Sequence, residues 1–314
     1  MTTDAIKDFV FNEDGTVLYS VPKDIIGEVE IPKGVIELGD DAFRGCTQLT
    51  KVILPDGLTR VGVLCFEGCR SLKTVILPKS VRFIGEFAFK GCSVLKSMKL
   101  PTSLKFLGQG AFENCISLEG ISIPGTVKAV SPWCFYGCVA LRFVELSEGL
   151  EVLGDHAFRQ CPSIRIMALP ESLKFIGTLC FCECDSIEEI VIPSNVEKIG
   201  SAPFAFAKNL KSIIVDSDNK EFVSLDGVLY AKDLHRLICC PIGYNGEFVV
   251  PDEVIHIGSG AFLNCIGITS IKFPDGLESV GNYAFEGCRN LKNVSIPSTV
   301  KDIGERAFRQ QTEQ

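Results

Sequence analysis

The sequence is poor in the residues on which many enzymes depend. Its 314 residues include only 3 His, 3 Met and 1 Trp. Three histidines leave little room for histidine-based catalysis or for a zinc enzyme. His156, His235 and His256 fall in unrelated parts of the chain, with no nucleophile spaced to match them. We therefore expect no catalytic histidine.

Basic charge and long apolar runs are scarce as well. The chain has 31 Lys and Arg against 39 Asp and Glu, a formal net charge of -8. Because a negative surface repels the phosphate backbone, we expect no nucleic-acid partner. No window approaches the roughly 18 consecutive apolar residues that a membrane span needs, so we expect no membrane insertion. The content of 46% hydrophobic and 22% charged residues excludes a disordered chain.

A secretion signal is also missing at the N-terminus. Residues 1–8 show no basic region followed by an apolar run. If the chain is complete as given, this predicts a cytoplasmic protein. The alternative is a mature fragment whose signal and anchor have been removed.

The abundant residues are 29 Gly, 15 Cys and 22 Phe, and they follow one period. Phe43, Phe66 and their successors form a ladder of phenylalanines with a step of 23 residues that ends at Phe308. Glycine and proline ladders keep the same step. One interval, from Asp216 to Pro251, is 35 residues long, which is one period plus 12 inserted residues. About eleven copies of one unit therefore account for the composition.

Each copy predicts two short strands and a corner. Residues 72–77 alternate as a half-buried strand does, and Pro78 ends the run because proline has no N–H to donate. A second extended run at 81–84 stops at Gly85, a residue free to take a positive φ. The following segment predicts a helical or 3₁₀ corner that places the ring of Phe89 in the interior.

A unit of this size cannot bury its own apolar face, whereas stacked copies can. We therefore predict a β-rich repeat solenoid of about eleven 23-residue coils with short helical or 3₁₀ corners. Length alone favours about two domains. The repeat, which resumes after the insertion, instead predicts one elongated body.

The repeat unit resembles the BspA-type (Treponema-type) leucine-rich repeat. Its pattern is visible at 192–200, I-P-S-N-V-E-K-I-G, and at 284–291, A-F-E-G-C-R-N-L, and the match runs from about Ile31 to Phe308. The resemblance implies a leucine-rich-repeat superhelix with a surface or secreted role in microbes, often adhesion to host proteins or neighbouring cells. The departures from the pattern are Ser131, Ser147, Pro203, Ala207 and Asp216. Several of them cluster at 203–216, where we expect an irregular coil.

Two segments predict β-hairpins. An Asp-Gly pair followed by an apolar run occurs at 14–15 and again at 226–227, and glycine accepts the positive φ of such turns. A hairpin at the N-terminus would cover the apolar end of the stack. We therefore predict a hairpin cap at 1–31 and a solenoid at 32–314, with a hairpin insertion at about 217–250.

Twelve of the fifteen cysteines occupy interior positions of the repeat, where a thiol acts as a small hydrophobe. Cysteines stacked at strand spacing do not fit disulfide geometry, so we expect free thiols, which favour a reducing compartment. Two alternatives stay open: a metal site at Cys180, Cys182 and Cys184, and a redox pair at Cys239 and Cys240. We otherwise expect no metal and no cofactor.

Variable outward positions supply the candidate binding site. The outward position of the second strand carries an apolar column of Phe83, Phe106, Val152 and Phe175. Beside it runs a basic stripe of Arg82, Lys105, Lys128 and Lys174. Phe143 and Ile166 occupy outward positions of the first strand. Such a patch is typical of an interaction surface, although these side chains could instead cover the edges of neighbouring coils.

The leading hypothesis is a non-enzymatic protein–protein interaction module, a cell-surface or secreted adhesin-like protein of a microbe. Its partner would be another protein, from a host or a neighbouring cell, and the chain itself would be a monomer. An intracellular leucine-rich-repeat scaffold is the first alternative. A thiol- or metal-dependent redox protein is the second.

Overall fold

A computed structural model describes residues 7–165 and 168–309. The chain divides into two compact units, unit 1 (Met1–Ser172) and unit 2 (Leu173–Gln314). Each unit is a stack of short coils built from strands and turns. The described residues contain no helix, and so none that could cross a membrane.

The strands of unit 1 are β1 (Val10–Phe11), β2 (Val17–Ser20), β3 (Gly27–Glu30), β4 (Glu37–Leu38), β5 (Leu49–Ile53), β6 (Arg60–Val61), β7 (Thr74–Ile76), β8 (Phe83–Ile84), β9 (Phe106–Leu107), β10 (Gly120–Ile123), β11 (Ala129–Val130), β12 (Phe143–Leu146) and β13 (Val152–Leu153). Those of unit 2 are β14 (Phe175–Ile176), β15 (Glu189–Ile192), β16 (Lys198–Ile199), β17 (Ser212–Val215), β18 (Phe222–Leu225), β19 (Val228–Ala231), β20 (Arg236–Cys239), β21 (Gly246–Val249), β22 (His256–Ile257), β23 (Ile268–Lys272), β24 (Ser279–Val280) and β25 (Asp302–Ile303).

Strands of successive coils pair in parallel, and the register equals the sequence period. Arg60 of β6 lies opposite Phe83 of β8, and Ile121 of β10 lies opposite Val144 of β12. Equivalent residues therefore stack directly on one another. Within a strand, side chains alternate between core and solvent, as in β12, where Val144 is buried between exposed neighbours.

Two antiparallel hairpins interrupt the parallel pattern. In unit 1, β1 pairs with β2, and β2 continues in parallel with β4. In unit 2, β18 and β19 join through Asp226 and Gly227, both with positive φ, and β20 then pairs in parallel with β22. The two hairpins thus use the same design, in which the last antiparallel strand starts the next parallel ladder.

The corners are hydrogen-bonded turns, and the expected helical or 3₁₀ segments are absent from the described residues. The Phe89 N–H donates to the Ala111 carbonyl oxygen of the next coil at 2.8 Å, whereas the Lys90 N–H donates to Phe87 at 3.1 Å. Because alternate N–H groups bond to the adjacent coil, consecutive i→i+3 bonds cannot form. The left-handed Phe87, at φ 55°, also ends any helical run.

The glycine that ends the second strand has a different role from the expected one. Gly85 does not adopt a left-handed conformation; instead, a Cβ there would lie 2.6 Å from the carbonyl carbon and oxygen of Gly62. The backbones of successive coils therefore approach too closely for any side chain. Close packing, and not a positive φ, requires glycine here.

The core of each unit is a column of stacked rings. In unit 1 the centroids of Phe43, Phe66, Phe89, Phe112, Phe135 and Phe158 follow one another at 4.9, 5.2, 5.3, 5.5 and 5.3 Å. In unit 2, Phe262 and Phe285 stack at 4.7 Å. Buried leucines and cysteines surround these rings. In unit 2 the buried residues include a core cluster within 228–307 and a separate small cluster of Cys182, Ala202 and Ala205.

Candidate functional site

Three side chains of unit 1 form an ordered stack on the sheet surface, which we call the Phe106 stack: Arg60, Phe83 and Phe106. They occupy the same outward position of β6, β8 and β9. The rings of Phe83 and Phe106 are 4.7 Å apart and inclined by 8°, and the Arg60 guanidinium carbon lies 4.2 Å from the Phe83 centroid. Strand register alone brings these groups together, because neighbouring strands are spaced as aromatic rings stack.

One end of the stack is held by charge and the other is open. Arg60 Nε lies 2.9 Å from Glu37 Oε1, and its Nη2 lies 3.6 Å from Asp40 Oδ1. At the other end, Phe106 is 41% exposed. The next coil has Ala129 at this position, and its methyl group is too small to cover a ring. Phe106 therefore presents an aromatic face to solvent.

The predicted apolar column is shorter than expected within unit 1. Val152 of β13 lies opposite Ala129 of β11 and is half-buried, so no ring separates it from the alanine. Phe175 belongs to unit 2, where its register partner is the exposed Lys198. Within unit 1, the structure thus brings Phe83 and Phe106 into contact and leaves Val152 outside their stack.

In the part of the chain that the structure describes, some side chains of the predicted basic stripe have no ion-pair partner, whereas Lys128 has one. Arg82 and Lys105 are exposed, and neither has an ion-pair partner among the described residues. The Lys128 ammonium lies 3.2 Å from Glu151 Oε1 and donates to a backbone carbonyl at 3.0 Å. Lys174 is exposed in unit 2. Positive charge therefore flanks the open end of the Phe106 stack mainly through Lys105.

Phe143 forms a second exposed apolar spot in unit 1. It is 74% exposed and lies beside Gly120 of the neighbouring strand, where a Cβ would be 3.5 Å from that of Phe143. Its ring borders a shallow groove of about 660 Å³ that also includes Ser97 and Met98. Ile166, predicted to accompany it, lies outside the described residues.

The cysteines are buried and free, including Cys182, Cys239 and Cys240. Many have a partner that the sequence did not reveal: Cys115 Sγ donates to the Phe89 carbonyl oxygen at 3.1 Å, and Cys138 Sγ to that of Phe112. Burial raises the pKa of these thiols, that of Cys69 to about 12. A protonated thiol is neither a nucleophile nor a metal ligand. The described residues contain no cluster suited to a metal ion.

One polar pair on the sheet surface of unit 2 was not predicted from the sequence. His256 Nδ1 lies 2.8 Å from Ser279 Oγ, on β22 and β24. The spacing of 23 residues was the available signal, because it places both on the same outward position. Asp302 is the register partner of the serine and not of the histidine, so the carboxylate is not placed to orient the imidazole as in a catalytic triad. The pair is a cross-strand hydrogen bond.

Comparison with known proteins agrees with this geometry. A family model described as BspA type leucine-rich repeat region matches residues 22–141, 107–225 and 244–314. A leucine-rich cell surface protein of Faecalibacterium prausnitzii A2-165 is 25% identical, with a TM-score of 0.68 over 96% of this chain and 83% of that one. A leucine-rich repeat protein of Bacteroides ovatus is 24% identical, with a TM-score of 0.61 over 96% and 89%.

A leucine-rich repeat protein of T. pallidum is 28% identical over 57% of this chain and 86% of that one, with a TM-score of 0.52. No curated protein matches the sequence. The predicted fold class and the predicted resemblance are both confirmed. The family is one of protein-interaction repeats. By its repeat, its coils and these matches, the chain belongs to the BspA-type leucine-rich-repeat family.

Proposed function

We propose that this chain is a non-enzymatic protein-binding module that holds a partner protein on the Phe106 stack. The observation that carries the proposal is the open aromatic face of Phe106, which ends an ordered stack beside an ion-paired arginine. A few residues supply most of the binding energy at a protein interface, and interfaces are enriched in aromatic and arginine side chains. The repeat does not require a ring at this position, since Ala129 occupies it one coil later.

The surroundings of the stack suit a protein partner. Phe106 provides a rigid apolar anchor, and the exposed Lys105 next to it in sequence supplies a charged rim. An acidic, apolar segment of the partner would match both. Phe143 and its shallow groove offer a second contact on unit 1.

A microbial cell surface is the proposed location. It rests on the family resemblance and on the similar Faecalibacterium protein, which is described as a cell surface protein. The free thiols do not argue against it. Because all fifteen are buried, an oxidising environment would not bring them into contact with oxidants. An intracellular scaffold remains the competing hypothesis.

The proposal is tested with the double variant Phe83→Ser/Phe106→Ser. Beads coated with the protein are mixed with cultured host cells and with neighbouring bacteria, and the retained cells are counted. We expect the double variant to retain at most about a tenth of the cells that the wild type retains, since loss of hot-spot rings costs at least ~1.4 kcal/mol. Partners are then identified by cross-linking and mass spectrometry.

The matched control is Ile76→Ser, which removes an apolar side chain from β7, in a different sheet of unit 1, that is 53% exposed and so at least as accessible as Phe106. It should bind as the wild type does. Phe143→Ser and Phe175→Ser test the other predicted contacts separately. If the double variant retains as many cells as the wild type, the Phe106 stack is not the binding site. If only cytosolic proteins are captured, the scaffold hypothesis replaces the adhesin.

A further inference from the structure

A second row of outward side chains runs along the corners of the coils. We call its position the corner slot: it is the left-handed residue two positions before each phenylalanine of the core column. In unit 1 most corner slots carry large side chains, among them Leu64, Phe87, Trp133 and His156, at φ of 55°, 55°, 54° and 57°. The rings of Trp133 and His156 stack at 5.2 Å and 7°. Where two neighbouring corner slots both carry rings, the rings stack. The slot of Gly110 has no side chain of its own, and the ring of Phe87 from the preceding slot occupies that space.

In unit 2 this row is interrupted by two small residues. The corner slots there are Leu179, Ala202, Gly260, Tyr283 and Arg306. An ideal Cβ on Gly260 would lie 2.7 Å from the Cβ of Ala202, so these two slots are in direct contact. Between Leu179 and Tyr283, therefore, no large side chain fills the row.

The inserted hairpin explains why the two slots meet. Ile257 and Phe262 are separated by four residues that form the corner. Leu237 pairs with Ile257, and the Cys240 N–H donates to Ala261, as a core phenylalanine would; only two residues separate Leu237 from Cys240. The inserted coil therefore has no corner and contributes no corner slot.

The missing side chains leave a pocket of about 470 Å³ on unit 2. Its apolar lining includes Leu179, Phe206, Leu263 and Tyr283, around the small Ala202. Leu179, Phe206 and Leu263 pack against a small buried cluster that contains Ala202, so they rest on the folded interior. The pocket is thus built of side chains with fixed support.

The polar part of the lining consists of neutral groups and one carboxylate. Ser259 and Asn282 contribute hydroxyl and amide groups, and Glu286 is the charged member of the lining. Among the described residues, no lysine or arginine forms an ion pair with Glu286. Its carboxylate is therefore available as a hydrogen-bond acceptor at the edge of an apolar pocket.

We propose that this pocket binds an aromatic side chain with a hydrogen-bond donor, tryptophan above all, presented by a partner protein. The indole ring would take the place of the missing corner side chain and pack beside Tyr283, as Trp133 packs on His156. Its N–H would donate to the Glu286 carboxylate, a charge-assisted bond. The pocket lies in unit 2, so this inference is independent of the Phe106 stack.

A cationic side chain is the competing occupant, because the Glu286 carboxylate would attract it, but the Tyr283 ring already has a cation beside it. The Arg306 guanidinium carbon already lies 5.9 Å from the Tyr283 centroid, in the next corner slot. The positive charge of Arg306 would repel a second cation beside the same ring. An indole has no charge and gains the ring contact without this penalty.

The test titrates 5-fluoro-N-acetyl-tryptophanamide into the full chain and follows its fluorine NMR signal. We expect saturable binding with a Kd on the order of 1 mM, typical of a single side chain. Ala202→Leu should abolish it by filling the pocket. The repeat shows that leucine fits at this slot, since Leu64 and Leu179 occupy it at φ 55° and 52°.

The matched control is Asp41→Leu, which adds the same side chain to a corner slot of unit 1 at φ 59°. It should bind the probe as the wild type does. Glu286→Gln should weaken binding about fivefold, the loss of roughly 1 kcal/mol from a charge-assisted bond, and the N1-methylated probe should lose affinity and no longer distinguish wild type from Glu286→Gln. Thermal unfolding checks that each variant is folded.

Three results would overturn the inference: no saturable binding, equal binding to folded Ala202→Leu, or preferential binding of arginine amide over the tryptophan probe. None of them bears on the Phe106 stack, whose variants leave this pocket intact.

Discussion

At the scale of single residues, the repeat assigns each side chain a partner one coil away. Cys92 shows this well: its Sγ donates to the Phe66 carbonyl oxygen at 3.2 Å, and the same oxygen accepts from the Cys69 N–H. The thiol is thus both a core filler and a donor. The sequence predicted the burial. The hydrogen bond depends on the direction of Sγ in the stacked coils, which periodicity does not reveal.

We expect Cys115→Ala to lower the free energy of unfolding by about 1–2 kcal/mol. The substitution removes a buried thiol and its hydrogen bond to Phe89. Urea unfolding followed by circular dichroism measures the change. An exposed substitution such as Lys96→Ala should change stability by less than about 0.5 kcal/mol. Equal stability of Cys115→Ala and wild type would show that the thiol contributes only volume that alanine replaces.

At the scale of elements, close approach of the coils decides which residues are tolerated. The sequence predicted two strands and a corner in each copy. The second strand forms in every copy, whereas the first is missing in the described residues 95–100, where only an isolated bridge at Ser97 occurs, and in 291–297. The corner differs because its N–H groups alternate between local acceptors and the next coil, as Phe89 and Lys90 show. A helix prediction considers one chain segment at a time. Such a prediction does not account for backbone N–H groups that donate to a neighbouring coil.

We expect Gly85→Ala to destabilise the protein by about 2–3 kcal/mol, because its Cβ would lie 2.6 Å from the backbone of Gly62 and the coils would have to separate. Thermal unfolding is the measurement. Gly276→Ala is the control, since a Cβ there meets nothing within 4 Å and its φ is not positive. A similar loss in both variants would point to backbone entropy and not to the contact.

At the scale of the whole molecule, the repeat places many thiols in the same buried environment, so their effects on stability add up. All fifteen thiols are buried, and burial raises the pKa of most of them above the ordinary value of 9.0, as for Cys92, Cys115 and Cys138. The unfolded chain therefore releases thiol protons at a pH where the folded chain keeps them. Each such group links stability to pH in the same direction.

We expect stability to be fully present below about pH 8 and to fall as the pH rises through 9 towards 11. Each buried thiol contributes a slope of about -1.4 kcal/mol per pH unit above the thiol pKa of the unfolded chain. Urea unfolding at several pH values measures the slope. In Cys115→Ala the decline should be shallower by about that amount. A flat profile would contradict protonated thiols in the fold.

Only part of the candidate binding site could be predicted from the sequence. The sequence placed Phe83 and Phe106 at one outward position, and the structure stacks them. It also predicted that Val152 and Phe175 continue the column, a hypothesis that stays untested as a binding site. Because Ala129 interrupts the row of rings, the apolar pattern in the sequence predicted a longer column than the observed ring stack. The predicted boundaries of the cap and the insertion likewise stay predictions.

The sequence by itself determined the family, the stacking of the coils and the ring column, because a strict period repeats the same burial in every copy. Only the tertiary structure decided where side chains are missing. The contact of Ala202 with Gly260 joins two residues 58 positions apart, across an insertion whose coil has no corner. The open face of Phe106 likewise exists because the adjacent coil has no ring at the equivalent position. A periodic pattern shows which positions are filled; a pocket or an open face exists only where neighbouring coils leave space.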